Sequence, residues 1–189
     1  IICHLETTNS IELLFFTDQH QVYKAKASDF EDHKASILGD YIPAKLAMDE
    51  NEKAICMVAT SDYSGHIMLF FENGKAAKVP MSAFETKSNR KKLTAAYSDK
   101  SPLIALFSSK EDREYVIRSS AGRYLSVHSG SVALKTSRST QGVAAMSLKK
   151  NHRVEKVELL TEDRFANANR YRTKNIPAAG STLASADAG

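Results

Sequence analysis

The sequence lacks the features that mark several large classes of protein. No apolar run approaches the roughly 20 residues of a membrane-spanning helix, and the first residues show no signal-peptide pattern. Only two cysteines, Cys3 and Cys56, occur in 189 residues, too few for a disulfide framework or a zinc site. These absences favour a reducing, cytoplasmic compartment. Because the chain begins without methionine, we expect it to be a piece of a longer protein.

Motifs of the common enzyme classes are missing as well. The chain has no Gly-x-Ser-x-Gly elbow, no P-loop and no glycine pattern for dinucleotides. Its six histidines never fall at the spacing of metal ligands. The acidic stretch 49–52 lacks the later Gly and Glu of a calcium loop. The sequence therefore predicts no catalytic residue, no metal and no cofactor in this chain.

The apolar residues are distributed as in an all-β protein. Hydrophobic residues make up 42% and charged residues 25% of the chain, which is typical of a globular domain. No long stretch keeps a helical period, and the one helix candidate, 30–38, is short. The apolar runs are strand-sized and end at turn residues. They are 11–16, 54–60, 66–71, 103–107, 114–117, 142–148 and 154–160.

The pattern repeats about every 50 residues. Three apolar anchors, Phe30, Phe84 and Val132, each follow a strand, a polar turn and a second strand. A repeat of this length with several strands per unit predicts propeller-like blades. The predicted blades are 11–60, 61–112 and 113–160, with 1–10 as the remnant of a preceding blade. A closed propeller takes about 4–8 blades, so we expect an open or truncated disc of about three blades.

Aromatic residues and the end of the chain complete the prediction of the fold. The repeated strands place one group of aromatics in the blade core: Phe15, Phe16, Phe70, Phe71 and Tyr115. Tyr63 and Tyr97 stand in polar turns and are left unassigned. Residues 161–189 lose the blade pattern, so we expect a closing segment and a polar, disordered tail.

Charge is divided unevenly along the chain. The whole sequence has a net charge of +4, but residues 1–74 carry −7 and residues 75–156 carry +11. An excess of that size attracts polyanions through its long-range field. A solvated basic face that binds nothing would also account for it.

Two basic loops recur at the same place in the repeat. Residues 87–92 follow Phe84 and residues 135–142 follow Val132. Both combine Lys and Arg with small polar residues, the groups that donate hydrogen bonds to phosphate oxygens. No element suited to reading bases is evident, so we expect contacts to the DNA backbone that weaken with salt. The candidate DNA-binding residues are Lys75, Lys78, Lys87, Arg90, Lys91, Lys92, Arg123, Lys135, Arg138, Lys149 and Lys150.

The first repeat departs from this pattern. Acidic residues crowd its corresponding loop: Asp29, Glu31, Asp32 and Asp40. We therefore expect a weaker DNA contact from the first repeat than from the second and third.

Four stretches, 13–24, 70–80, 97–103 and 135–143, closely resemble a known family. They are similar to the C-terminal domain of the bacterial type IIA topoisomerase A subunit, that of DNA gyrase or topoisomerase IV, in a clostridial-like form. The resemblance runs from about residue 10 to 180. It implies a β-pinwheel, whose blades exchange strands with their neighbours, and DNA bent around a basic rim.

The resemblance also implies partners and a division of labour. The partners would be double-stranded DNA, the rest of the A subunit and the topoisomerase B subunit. The protein would act in the bacterial cytoplasm, in association with the nucleoid. The nucleophilic tyrosine, the ATPase and the Mg²⁺ of the full enzyme would lie outside this chain, and the pair Arg170-Tyr171 has no catalytic context. The domain itself would be no enzyme and would need no cofactor.

Two alternatives stay open at this point. Family members that supercoil DNA carry a Gln-Arg-Arg-Gly-Gly-Lys-Gly box, and no such run occurs here, so gyrase and topoisomerase IV are not separated. The other alternative is a propeller-type module for protein–protein interaction. A continuous rim of basic loops would favour DNA, and scattered basic clusters would favour a protein partner.

Overall fold

The fold is built from short strands. The computed structural model describes residues 2–4, 12–26, 51–86 and 92–188, and within these ranges the regular elements are thirteen strands and short 3-10 turns. The strands are β1 (Ile2–His4), β2 (Glu12–Thr17), β3 (Val22–Lys26), β4 (Ala54–Thr60), β5 (His66–Phe71), β6 (Lys75–Pro80), β7 (Lys92–Leu93), β8 (Leu103–Ser109), β9 (Glu114–Ser119), β10 (Arg123–His128), β11 (Val143–Ala144), β12 (Val154–Leu159) and β13 (Ser181–Thr182). The 3-10 turns are Met81–Phe84, Ser129–Ser131, Ala168–Arg170 and Ser185–Asp187.

The strands form three sheets of the same design. Sheet I has the order β4-β2-β3-β7, sheet II β8-β5-β6-β11 and sheet III β12-β9-β10-β13. Their strands pair antiparallel, and β1 adds to sheet II as a parallel neighbour of β8. Each sheet centres on a tight hairpin, β2–β3, β5–β6 or β9–β10.

The fourth strand of each sheet comes from a later part of the chain. The two-residue strand β7 leaves the second predicted unit and pairs with β3 of sheet I. In the same way β11 pairs with β6 of sheet II, and β13 pairs with β10 of sheet III. This exchange is the strand swapping that the resemblance implies. The unit boundaries 11–60, 61–112 and 113–160 themselves stay a prediction.

Sheet II carries the core on both of its faces. All six residues of β5 are buried, and successive side chains of a strand point to opposite faces. Ile67, Leu69 and Phe71 belong to the cluster shared with sheet I. Met68 and Phe70 belong to the cluster shared with sheet III. The three sheets are therefore stacked face to face through sheet II.

The outer face of sheet III is covered by the C-terminal part of the chain. Phe165 and Tyr171 are 6% and 1% exposed and pack with Val116 of β9. The Tyr171 hydroxyl donates to the Asp187 carboxylate at 2.6 Å. The structure describes residues 161–188 as a segment that packs on sheet III, and the expectation of a disordered tail stays a prediction. Two aromatic side chains and the exchanged strand β13 supply the packing that the loss of the repeat pattern concealed.

Other predictions of local structure have mixed outcomes. The five aromatic residues assigned to the core are all buried, as are the anchors Phe84 and Val132. The predicted strand 142–148 is regular only at 143–144, because the Ala145 and Met146 amides both turn to the Gly74 carbonyl. The helix candidate 30–38 and the anchor Phe30 lie outside the described residues.

The two tyrosines that the sequence left unassigned differ in the structure. Tyr97 is buried and donates its hydroxyl hydrogen bond to the Thr17 carbonyl at 2.6 Å. Tyr63 is half-buried, and Lys24 Nζ lies 5.1 Å from the centre of its ring. Both tyrosines therefore join neighbouring repeats.

Two further findings concern the absences noted in the sequence. The cysteine count predicted no disulfide framework, and the structure places Cys56 in one disulfide. Across the described ranges, no helix has the length and apolar character to cross a membrane.

Gly142 is required where the exchanged strand β11 meets sheet II. Its φ is +73°, and a Cβ there would overlap the Ala76 carbonyl oxygen. Gly122 in the β9–β10 turn has a similar φ of +72° with open space around the Cβ position. A side chain at either glycine would strain the backbone, but only a side chain at Gly142 would also overlap neighbouring atoms.

We predict that Gly142→Ala destabilises the fold more than Gly122→Ala. Both substitutions place alanine at positive φ, which costs about 1–2 kcal/mol. Gly142→Ala must also displace backbone, which adds about 1–3 kcal/mol. Urea unfolding of the two variants measures the difference. Equal losses would contradict the close approach of Gly142 to β6.

Candidate nucleic-acid interface

The three hairpin turns lie at one end of the stacked sheets, and we call this the turn end. Its turns are 18–20, 72–74 and 120–122. Loop 94–102 joins the first two turns, because the Ala96 amide donates to the His20 carbonyl and the Glu72 amide donates to the Pro102 carbonyl. Loop 145–153 joins the second and third turns. The Val154 amide, directly after this loop, donates to the Glu72 carbonyl, and the Ser120 amide donates to the Arg153 carbonyl. Neighbouring turns are thus linked by backbone hydrogen bonds.

The opposite end, which we call the acidic end, is formed where the hairpins begin. It contains the loops 61–65, 110–113 and 160–163, which precede or follow the long strands away from the turns. Over the described ranges, six exposed carboxylates lie in or beside these loops, against three exposed cations, Lys26, Lys110 and Arg172, of which Arg172 is bonded to Glu114. The carboxylates are Asp62, Glu85, Glu111, Asp112, Glu162 and Asp163.

The turn end has the opposite charge. Among the residues that the structure describes, three exposed carboxylates, Asp18, Asp99 and Glu155, stand against five exposed cations. These cations are Lys53, Lys100, Lys149, Lys150 and Arg153. The two ends of the sheets therefore differ in sign.

A second basic surface follows the outer edge of sheet II. Residues 134–142 run beside β6, since the Lys135 backbone amide donates to the Lys78 carbonyl and Val143 pairs with Ala76. Lys135 and the three hydroxyl residues Thr136, Ser137 and Ser139 are exposed there. The sequence predicted this loop as a DNA contact, and its exposed position is compatible with that role.

Lys78 is the first predicted DNA ligand that the structure finds already engaged. Its Nζ lies 2.6 Å from the Asp112 carboxylate and its side chain is 13% exposed. Hydrogen bonds from Lys78 and then from Ser129 hold the pKa of the Asp112 carboxyl below its ordinary value. Lys78 therefore serves an ion pair between neighbouring sheets.

Arg138 is engaged as well. Its guanidinium donates to the Ala83 carbonyl at 3.0 Å and to the Thr94 carbonyl at 3.4 Å. Ala83 lies in the turn after β6, and Thr94 directly follows β7 of sheet I. Arg138 thus ties the outer edge of sheet II to the outer edge of sheet I, a structural role that composition alone does not reveal.

The remaining predicted residues fall into four groups. Lys75 donates to the Gln141 side chain at 3.4 Å and Arg123 to the Gly180 carbonyl at 3.0 Å, both half-buried. Lys92 lies 5.6 Å from the centre of the Tyr23 ring, whereas Lys149 and Lys150 are exposed. Lys87, Arg90 and Lys91 lie outside the described residues, as do the acidic residues 29–40 of the first repeat.

The sequence reasoning missed three exposed cations at or near these surfaces. Lys53 and Lys100 stand singly in the sequence, and Arg153 follows a histidine at the start of β12. Lys100 and Arg153 could have been found from the position of their loops between two hairpin turns, and Lys53 from its place beside the first turn. Those positions follow only from the sheet topology.

Several exposed cations of the turn end are unused within the described structure. Lys100, Lys149, Lys150 and Arg153 make no side-chain hydrogen bond or ion pair to the part of the chain that is described. Over the same part, no group of three or more His, Cys, Asp or Glu residues is arranged to hold a metal ion. Tyr171 is buried and bonded to Asp187, so its hydroxyl has a packing role.

Comparison with known sequences identifies relatives in one class of protein. No protein-family model matches the chain. The DNA gyrase A protein of Mycobacterium bovis is 22% identical over 169 residues, covering 87% of this chain and 20% of the relative. That of Mycoplasma pneumoniae is 26% identical over 140 residues, covering 72% of this chain and 16% of the relative. The chain thus spans about a fifth of the length of the curated relatives it matches.

Comparison with solved structures identifies the same fold. The C-terminal domain of DNA topoisomerase IV matches 92% of this chain and 58% of its own, with a TM-score of 0.73 and 18% identity. The DNA gyrase A C-terminal domain matches 93% and 61%, with a TM-score of 0.65 and 18% identity. The C-terminal domain of E. coli ParC has a TM-score of 0.56 and 14% identity. The predicted all-β pinwheel and the family resemblance are confirmed; the clostridial likeness stays a prediction.

We predict that Arg138→Ala lowers the free energy of unfolding by about 1–3 kcal/mol, because it removes charge-assisted bonds to two carbonyls. Lys135→Ala, in the same loop, is the matched control and should change the stability by less than about 0.5 kcal/mol. Thermal unfolding of both variants measures the difference. An unchanged midpoint in Arg138→Ala would refute the tie between sheets I and II.

A second prediction concerns pH. The pKa of Asp112 is lowered in the folded state, so its contribution to stability is present above the unfolded carboxyl pKa of about 3.9. It is lost as the pH falls through the lower folded value. Asp112→Asn should therefore destabilise the fold at pH 7 by at most about 1 kcal/mol, because the pair is partly exposed.

The difference between Asp112→Asn and the parent chain should shrink as the pH falls below about 4. Glu111→Gln, a neighbouring exposed carboxylate, is the control for a general loss of negative charge. Calorimetric midpoints between about pH 3 and pH 8 test this. A difference that stays constant with pH would exclude an ionic role for Asp112.

Proposed function

We propose that this chain, a homologue of the C-terminal domains of DNA gyrase A and topoisomerase IV, binds duplex DNA and bends it. The observation that carries the proposal is the set of exposed, unengaged cations on successive sheets, described above. Lysine and arginine on such surfaces neutralise backbone phosphates and release condensed counterions. The bound DNA would be presented to the strand-passage machinery of a type II topoisomerase.

The proposed contacts are backbone contacts. Lys135, Lys149 and Lys150 are predicted ligands that are exposed and unengaged in the described structure. Lys87, Arg90 and Lys91 stay in the proposal on the strength of the sequence. The described elements are strands and short turns, and none of them is a helix that could enter the major groove. Binding should therefore depend little on base sequence.

Catalysis is assigned to other parts of the enzyme. The parent would be an ATP-dependent type II topoisomerase whose tyrosine, ATPase and Mg²⁺ lie outside this chain. Its partners in the bacterial cytoplasm would be the B subunit together with the rest of the A subunit. This domain would bind no cofactor of its own and would contribute geometry: a curved basic surface that holds the duplex in a fixed orientation. The strand passage that it serves would be either supercoiling or relaxation and decatenation.

A propeller-type module for protein–protein interaction is the alternative. Large exposed apolar patches mark such interfaces. Over the described residues the only large exposed hydrophobic side chain is Leu134, at 53%. The scarcity of exposed apolar side chains in the described part, together with its exposed cations, therefore favours DNA over an apolar docking partner.

The proposal predicts how the chain binds duplexes of increasing length. Affinity should rise with length to a plateau, should be insensitive to sequence, and should fall steeply with salt by a slope of about 0.9 per phosphate contact. Fluorescence anisotropy with duplexes of several lengths, at several salt concentrations, measures all three. Absence of binding at low salt would contradict the proposal.

Bending is tested on the same duplexes with a donor and an acceptor dye at their ends. Energy transfer should increase when the chain binds a long duplex and should stay unchanged on a short one. Binding with no change in transfer would leave a DNA-binding domain and would remove the bending part of the proposal.

A further inference from the structure

We infer that the duplex lies against the turn end of the sheets, so that this domain binds DNA with one end and turns the other away. The inference rests on the proposed function and adds to it the surface that carries the contact. It differs from the sequence-based expectation, which placed the contact mainly in the loops that follow the anchors. The observations that carry it are the opposite charges of the two ends and the fixed loops of the turn end.

The loops of the turn end are held by the sheets on either side. In loop 94–102, Ser101 Oγ accepts a bond from the Asn73 amide at 3.1 Å, and Tyr97 reaches Thr17. In loop 145–153, the Arg153 amide donates to Ser120 Oγ at 3.0 Å, and the His152 amide donates to the Lys149 carbonyl at 3.1 Å. Fixed backbone reduces the conformational entropy that the loops lose on binding.

The cations on these loops point to a repeating contact. Lys100 stands in the loop between the first and second turns, and Lys149, Lys150 and Arg153 stand in the loop between the second and third. Each loop thus places at least one exposed cation at an equivalent place along the stack of sheets, although exposed Asp99 precedes Lys100 in the first loop. A polymer of phosphates meets such a series at successive points, whereas a small anion occupies only one.

The acidic end excludes the same ligand. Its exposed carboxylates other than Asp112, which is paired with Lys78, repel phosphates, and two of them are the adjacent pair Glu162 and Asp163. Juxtaposed like charges cost several kcal/mol at an interface. A duplex centred on the sheets would run close to both ends. A duplex displaced toward the turn end gains the cations and avoids the carboxylates.

Two charge-matched double variants of the full chain test the inference. Lys100→Gln with Arg153→Gln removes two positive charges from the turn end, one from each loop. Lys110→Gln with Lys156→Gln removes two from elsewhere: Lys110 belongs to the acidic end, and Lys156 is paired with Glu158 on β12. Every substituted side chain is exposed, so all variants should keep the thermal midpoint of the parent chain.

The expected result is a difference in salt dependence on a duplex long enough to reach the plateau. The turn-end variant should lose about 0.9 from the magnitude of the salt slope for each phosphate contact removed, about 1.8 in total. The control variant should keep the slope and affinity of the parent chain. A third variant, Lys135→Gln with Lys174→Gln, reports the outer edges of sheets II and III and should lose less than the turn-end variant. Lys174 is exposed and follows Arg172, which bridges Ser126 of β10.

The inference is overturned if the turn-end variant binds like the parent chain, or if the outer-edge variant loses more. Either result would leave the proposed function standing, because the parent chain would still bind DNA. A parent chain that fails to bind any duplex at low salt would instead refute the proposed function. The two failures are therefore distinguishable in one series of titrations.

Discussion

The burial of sheet II on both faces is the constraint on which the rest of the structure depends. Sheets I and III each pack against it, and neither buries its inner face without it. A single four-stranded sheet buries too little apolar surface to be stable alone, so stacked repeats must supply the core jointly. The alternation of β5, with three side chains toward one neighbour and two toward the other, couples the orientation of all three sheets.

The exchanged strands turn that stack into a continuous surface. Each two-residue strand must cross from one repeat to the edge of the preceding sheet, so the connecting loops necessarily run over the junction between two sheets. Loops 94–102 and 145–153 occupy those junctions at the turn end. Arg138 and the Lys78–Asp112 pair occupy junctions elsewhere. Charged residues in this fold therefore divide into those that hold sheets together and those that remain for a ligand.

The architecture could be predicted from the sequence, and the division among charged residues could not. Phe70 and Phe71 repeat Phe15 and Phe16 in a strand-sized apolar run, and such runs are visible without coordinates. Arg138 and Lys149 are both basic residues in polar loops, yet one bonds to protein carbonyls and the other is exposed. Strands of two residues, such as β11 and β13, leave no periodic signal. The loops they position therefore could not be assigned to an end of the sheets.

The packing of the C-terminal segment could not be predicted from the repeat pattern either. Residues 180–189 are small and polar and give no packing signal, whereas Phe165 and Tyr171, earlier in the segment, cover the outer face of sheet III. Sequence pattern identifies repeated strands well and identifies single aromatic residues that pack outside a repeat poorly.

Hydrogen–deuterium exchange of the full chain, with and without a long duplex at low salt, tests the central claim most directly. The account predicts that DNA slows exchange in loops 94–102 and 145–153 and leaves loops 110–113 and 160–163 unchanged. Slowed exchange confined to the acidic end, or none in either loop of the turn end, would contradict it.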